Sequence, residues 1–202
     1  MALSLRCECG EVQGTVQAGH AYTRATCYCR DCQAYARWLG KPGLTDAQGG
    51  TDIVAMNPAA VRIDSGHDRL ACMSLSDKGI LRWYASCCRT PLGNTPRDGK
   101  VAYVGMVASS LAPPAAVDDA FGLPGRTVIN VKSARGQVKP TPVAFIVDGL
   151  RIFGGIVGAK LRGQPPALFF DANARPVRSA QVLDDAERAT LYSAVGQHDR
   201  NN

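Results

Sequence analysis

Apolar and polar residues alternate over the first seventeen positions in the manner of a strand, with Leu3, Leu5 and Cys7 on one side and Val12 and Val16 returning after Cys9-Gly10. The pattern predicts a hairpin over 1–17. A second strand is predicted over 21–27, and Cys32, Tyr35, Ala36 and Leu39 then recur at helical spacing, predicting a short helix over 30–39. Strand-like runs follow at 52–56, 60–63, 69–75, 79–84, 101–107 and 126–131, punctuated by Gly, Pro, Asp and Asn. This region is expected to be mainly antiparallel β.

Past Pro140 and Pro142 the period changes. Val143, Ile146, Val147, Leu150, Phe153, Val157 and Leu161 predict a helix over 143–161. Phe145, Ile152 and Ile156 make a second face apolar, while Gly149, Gly154, Gly155 and Gly158 each cost about 1 kcal/mol against Ala in a helix interior. A close neighbour is therefore expected: the protein's own core or a second copy in a homo-oligomer, with a membrane surface as the other reading. Asp148, Arg151 and Lys160 interrupt the run, so no transmembrane segment is expected. Pro165 and Pro166 end the helix, 167–182 reads as a hairpin, and Asp184-x-x-Glu187 resembles a capping box opening a last helix over 184–195. The fold class is mainly β, α+β overall, with a β-rich domain at 1–135 and an extension at 136–202 packed on it or on a partner.

A chain of 202 residues that is 46 % apolar can bury a core of its own. Its formal charge of +6 suits small anionic molecules, but the basic residues are scattered and no nucleic-acid partner is expected. The N-terminus, Met-Ala-Leu-Ser-Leu-Arg-Cys, has no apolar region of signal-peptide length, which points to a reducing cytoplasm.

That compartment matters because seven of the eight cysteines fall into three clusters, Cys7-Glu-Cys9, Cys27-Tyr-Cys29-Arg-Asp-Cys32 and Cys87-Cys88. Thiols kept reduced bind metal rather than pair as disulfides. These supply enough thiolates for two tetrahedral sites, with zinc the expected ion at two per chain. Cys72, alone between apolar neighbours, is expected to pack as a small hydrophobe. Ligands from residues 7 and 9 meeting residue 88 would close a loop across most of the β region, making binding energy into folding energy. Cys27, Cys29 and Cys32 are only three ligands, so unless another residue completes the set they leave a coordination position open. Three thiolates and Zn²⁺ sum formally to one negative charge, a poor activator of water that readily accepts another soft sulfur.

A small thiol or thiol adduct is thus the expected guest. Arg30 and Arg37 are candidates for holding its carboxylate, since Arg pairs with such groups through two hydrogen bonds, and Asp31 for accepting a proton or orienting a ligand. His20, His67 and His198 lack ligand spacing and are expected at the surface or in turns; Trp38, Trp83 and Tyr84 are expected in the core.

In this order, Cys7-x-Cys9-Gly10, Cys27-x-Cys29-x-x-Cys32 and Cys88-Arg-Thr90-Pro91-Leu92 resemble the glutathione-dependent formaldehyde-activating enzyme (Gfa) family, over roughly residues 1–110. The resemblance implies a zinc-binding β-tent, a structural zinc on the first pair with a late C-x-x-C, and a second zinc on the triple-cysteine motif near a thiol site. It also implies carbon-sulfur lyase chemistry interconverting glutathione and formaldehyde with S-hydroxymethylglutathione. The chain departs from the family where the first cysteine of the late C-x-x-C falls on Ala85. Cys87 is the substitute, yet successive strand side chains point to opposite faces, so a turn is needed for Cys87 and Cys88 to share an ion. A four-thiolate set of Cys7, Cys9, Cys87 and Cys88 is the expected structural site, with Cys27, Cys29 and Cys32 catalytic; alternatively Cys87 closes the second site. In that case the protein reads as a non-catalytic zinc-stabilised scaffold that uses its extension for contacts.

Overall fold

The computed structural model describes residues 1–164 and 168–196. The chain folds as α+β around two sheets. Strands β1 (Ala2–Arg6), β2 (Gln13–Gln17), β5 (Val61–Ser65) and β10 (Leu111–Ala112) make a four-stranded sheet in the order β10-β1-β2-β5. The larger sheet has eight strands: β11 (Val128–Ile129), β3 (Ala21–Cys27), β4 (Thr51–Met56), β9 (Val104–Val107), β8 (Thr90–Thr95), β7 (Leu81–Ala85), β6 (Leu70–Ser74) and β12 (Ala180–Val182), in that spatial order. Its interior pairs are antiparallel, as expected; β11 on β3 and β12 on β6 are parallel.

Alternation explains the small sheet. Leu3 and Leu5 of β1 and Val16 of β2 point inward, and they share one core with Val54, Met56, Trp83, Leu92 and Met106 of the large sheet. Strand β8 does not alternate: all six of its residues, Thr-Pro-Leu-Gly-Asn-Thr, are buried because both faces are covered. Four helices complete the fold, α1 (Arg30–Leu39), α2 (Pro114–Phe121), α3 (Pro142–Leu161) and α4 (Asp185–Gly196). The buried Arg24 guanidinium on β3 ties α2 to the large sheet through Asp52 on β4, at 2.6 Å, and Asp118 on α2, at 2.7 Å.

The later part of the chain is woven into this body. Phe169 is fully buried and stacks on Trp83 with ring centroids 4.4 Å apart, while the Trp83 indole N–H donates to Thr95 Oγ1 at 2.9 Å. A smaller core joins Ala34, Tyr35 and Leu39 of α1 to Met73 and Leu75, with Leu183, Leu191 and Tyr192 from the end of the chain. The capping box forms as expected, the Glu187 N–H donating to Asp184 Oδ1 at 2.8 Å and the Asp184 N–H to Glu187 Oε2 at 3.2 Å.

Three expectations need correction, and one helix was not expected. The hairpin over 167–182 reduces, in the described residues, to a turn closed by a single bridge between Phe170 and Pro176, because residues 180–182 pair with β6 instead. The strand over 126–131 shrinks to Val128–Ile129, since Asn130 turns left-handed (φ 58°) and ends it. Helix α2, opened by Pro114 at its first position, was not visible as a periodic run. And α3 is not a buried helix: only Asp148 and Ala159 are fully buried, while Val143, Ile146, Leu150, Phe153 and Leu161 are each more than half exposed. By length and composition α3 could cross a membrane; here its other side rests on β3, with Gly155 so close to the Tyr22 ring that a Cβ would overlap it.

Truncating Phe169 to Ala removes the ring stacked on Trp83 and should cost about 3–5 kcal/mol of stability, read as a fall in the denaturation midpoint at unchanged slope.

Candidate metal centres and the adjoining cleft

The tips of two hairpins, one from each sheet, bring the first cysteine group together. Cys7 follows β1, and the turn to β2 is closed by the Cys7 N–H to Val12 C=O bond at 3.0 Å, the Gly10 N–H to Cys7 C=O bond at 3.0 Å, and Gly10 at φ +81°. The Val12 N–H also donates to the Cys7 sulfur at 3.2 Å. Residues 86–89 form the turn between β7 and β8, with Arg89 at φ 56° and its N–H bonded to the Ala85 carbonyl at 2.8 Å. This turn lets Cys87 and Cys88 face the same point. Glu8 N–H donates to Thr90 Oγ1 at 3.0 Å and so binds one tip to the other.

The four sulfurs lie within 4.8 Å of one another, with Cys7–Cys9 at 3.5 Å, Cys9–Cys87 at 3.2 Å, Cys7–Cys87 at 4.0 Å and Cys87–Cys88 at 3.9 Å. Tetrahedral zinc with Zn–S bonds of about 2.3 Å requires sulfurs roughly 3.8 Å apart, so the donor set fits the ion. The thiols differ in acidity. Burial and the neighbouring thiols push Cys87 up, whereas hydrogen bonds from Thr90 and the Cys9 backbone overcome burial and bring Cys88 down to about 6.

Cys27 ends β3 and Cys29 stands two residues on, so the extended chain points both the same way. Cys32 comes from the first turn of α1, which Cys29 caps: the Cys32 N–H donates to the Cys29 sulfur at 3.2 Å, an arrangement in which the helix N-terminus favours a thiolate. The Cys29 and Cys32 sulfurs are 3.0 Å apart, and all three lie within 4.8 Å. Thiol donation from Cys29 and Cys32, with Asn130 donating at 3.4 Å, outweighs burial and lowers Cys27 to about 3, while the Cys27 contact pushes Cys32 well up. Three thiols this close together are a donor set that a divalent cation would complete by displacing protons. Among the described residues no fourth Cys, His, Asp or Glu joins this group, because Cys87 belongs to the other one.

These sulfurs open on a cleft of about 490 Å³ across the large sheet. Arg82 of β7 faces it, 2 % exposed, with Nη1 donating to Asn94 Oδ1 at 3.3 Å and lying 4.0 Å from the Cys32 sulfur. Its Nη2 is 4.0 Å from Asp31 and its guanidinium lies over the Tyr35 ring at 5.1 Å. Burial works against this cation, but the sulfurs of Cys32 and Cys29, with Tyr35 and Asp31, more than restore it. Tyr103 also lines the cleft; burial, then the Cys27 and Cys32 charges, push its phenol up to about 12. Gly105 keeps the floor low, since a Cβ there would come within 2.9 Å of Ile53 and 3.2 Å of the Tyr103 hydroxyl. A smaller apolar cavity of about 150 Å³ under α3 shares Ile53, Tyr103 and Ile129 with the cleft.

Asp31 sits at this cleft and accepts a hydrogen bond from the Tyr192 hydroxyl at 2.6 Å. Arg30 and Arg37 do not line it. Arg30 turns away over the Tyr192 ring, at 5.1 Å, and Arg37 faces a separate pocket of about 380 Å³ with Lys41 and Arg135. The arginine of the cleft, Arg82, was missed; its only trace in the sequence is a cation amid the otherwise apolar run Ile80-Leu81-Arg82-Trp83-Tyr84. Cys72 is buried in the core, as are Trp83 and, partly, Trp38 and Tyr84. His20 and His67 are exposed; His198 lies outside the described residues.

A protein-family model matches residues 1–169, and the chain belongs to that family, described only as a family of unknown function (DUF6151). No curated protein matches. Among solved structures, a structural-genomics crystal structure of a Rhodobacter sphaeroides protein is similar at 18 % identity and a TM-score of 0.40, covering 61 % of this chain and 98 % of that one.

Loading the protein with cobalt(II) should give thiolate charge-transfer absorption for two ions per chain. Cys29→Ser should remove one ion with little change in stability, whereas Cys88→Ser should remove the other and lower the unfolding midpoint; metal analysis beside thermal unfolding reads both.

Proposed function

We propose that this DUF6151 protein carries two zinc ions and handles a small thiol at one of them. Cys7, Cys9, Cys87 and Cys88 would hold a structural ion, and Cys27, Cys29 and Cys32 a second whose remaining position faces the cleft. One observation carries the reading: a three-sulfur group with no fourth protein ligand among the described residues opens on a 490 Å³ cleft containing a buried arginine. The likeness of the cysteine motifs to Gfa proteins supports it. In that light the two sheets are read as a β-tent over 1–135, with 136–202 as an extension packed on it, in a cytoplasmic protein.

The proposed reaction is that of a carbon-sulfur lyase on a thiol-aldehyde adduct, with glutathione and formaldehyde as the favoured pair. In the cleavage direction the adduct's hydroxyl loses its proton, the carbonyl forms, and the electrons of the carbon-sulfur bond return to sulfur. Zinc, when bound, would stabilise the thiolate that leaves or enters.

The chain's own residues do the rest. Arg82, held by Asn94 and the Tyr35 ring, sets a positive charge in the wall of the cleft that favours an anionic thiol. Asp31, steadied by Tyr192, takes the hydroxyl proton and returns it in the reverse direction. Tyr103, kept protonated by burial, donates a hydrogen bond to the aldehyde oxygen. Holding the adduct between these groups supplies orientation as well as charge.

Glutathione added to the cobalt-loaded protein should alter the absorption of the second ion alone, and Cys29→Ser should abolish the response. Arg82→Leu should weaken glutathione binding about tenfold or more while leaving the uncharged thiol 2-mercaptoethanol within about twofold. Indifference to every thiol tried would instead make this a zinc-stabilised scaffold.

A further inference from the structure

We propose that α3 is a membrane-surface element that seats the protein on an anionic bilayer. The helix has two opposite sides of different character. One is docked: Asp148 and Ala159 are buried, Asp148 Oδ2 accepts from Thr127 Oγ1 at 2.5 Å, Gly155 lies on Tyr22, and Gln164 just beyond the helix bonds Asn57 at 2.7 Å. The other side presents Val143, Ile146, Leu150, Phe153, Val157 and Leu161, from 37 % to 83 % exposed. At 100° per residue these six fall within roughly 80° of arc, a continuous apolar strip along a helix about 30 Å long. Among the described residues nothing covers it. Exposed strips of large aliphatic and aromatic side chains on this scale mark a contact with another apolar phase.

Charge selects which phase. Between Val138 and Gly163 the chain has four basic residues, Lys139, Arg151, Lys160 and Arg162, all exposed, and one acid, Asp148, which is buried and already bonded to Thr127 and Arg151. The strip is therefore bounded by cations at both ends with no exposed acid between them. Pairing α3 with a second copy, in either direction, would set these cations against one another without a counter-charge. An anionic lipid surface satisfies both features at once, taking the apolar strip among its acyl chains and the flanking Lys and Arg among its headgroups. The docked side decides between lying on the bilayer and crossing it: a spanning α3 would have to abandon the Asp148–Thr127 bond and the Tyr22 packing that hold it to β3.

The test uses the full-length protein with vesicles of phosphatidylcholine alone or mixed with phosphatidylglycerol. Co-sedimentation should be about tenfold or more stronger with the mixed vesicles and should fall steeply as salt is raised. A Leu150→Glu, Phe153→Glu double variant should lose vesicle binding while keeping wild-type metal content and circular dichroism, both positions being on the exposed strip. Lys160→Glu with Arg162→Glu should lose the preference for phosphatidylglycerol. Equal retention of the wild type and the double variant by vesicles would overturn the proposal. So would a wild type that ignores vesicles but is a dimer by light scattering, with the double variant a monomer; that outcome assigns the strip to self-association.

Discussion

Four sulfurs delivered by two hairpin tips are the constraint on which the fold depends. The β1–β2 tip belongs to the four-stranded sheet and the β7–β8 tip to the eight-stranded sheet, and Cys7, Cys9, Cys87 and Cys88 are where they meet. Everything between residues 9 and 87 is a loop closed at that point. An ion there would act on the unfolded chain by closing this long loop and on the folded chain by fixing the angle between the sheets, the two ways in which a structural metal turns binding energy into stability. The Glu8–Thr90 hydrogen bond ties one tip to the other beside the sulfurs.

The second centre has the opposite design. Its three sulfurs come from one short stretch, a strand end and the helix that follows it, so nothing in the fold requires an ion to bring them together. What the fold adds is charge. Arg82 is a nearly fully buried cation whose closest acid, Asp31, is 4.0 Å away, and the sulfurs on its other side complete its neutralisation. A buried charge is tolerated when its partners are fixed around it. Cys32 and Arg82 therefore act on each other: the guanidinium favours the ionised form of the sulfur nearest to it, and that sulfur favours the charged guanidinium.

Much of this was legible in the sequence because it is local. The hairpin of Leu3, Leu5 and Val16, the helix over 30–39, the capping box at Asp184 and the grouping of cysteines all rest on neighbours in the chain, where period and spacing carry the information. What could not be read is set by coverage. Strand β8 has Pro91, Gly93 and Asn94, residues that break exposed strands, yet it lies in the middle of the large sheet with both faces buried and so lacks alternation. The apolar pattern of α3 gave a helix but not its surroundings, because period reports which side is apolar and not what touches it. Cys87 and Cys88 could share an ion only if a turn intervened, and that turn depends on Arg89 adopting a left-handed conformation that its sequence does not announce. Arg82 is a long-range fact of the same kind, visible only once β7 faces α1.

The later part of the chain, from β11 onward, bears directly on the second centre. Asn130, at the end of β11, donates to the Cys27 sulfur, and Ile129 lines the cleft. Tyr192 on α4 bonds Asp31 and carries Arg30 over its ring, which removes Arg30 from the cleft and fixes the carboxylate that faces it. Phe169, stacked on Trp83, braces the strand that holds Arg82. The cysteines alone are thus an unfinished site. Residues far along the chain supply a hydrogen bond to one sulfur, set the orientation of the nearby acid and support the buried cation, so the chemistry of the cleft belongs to the whole described chain rather than to its cysteine-bearing part.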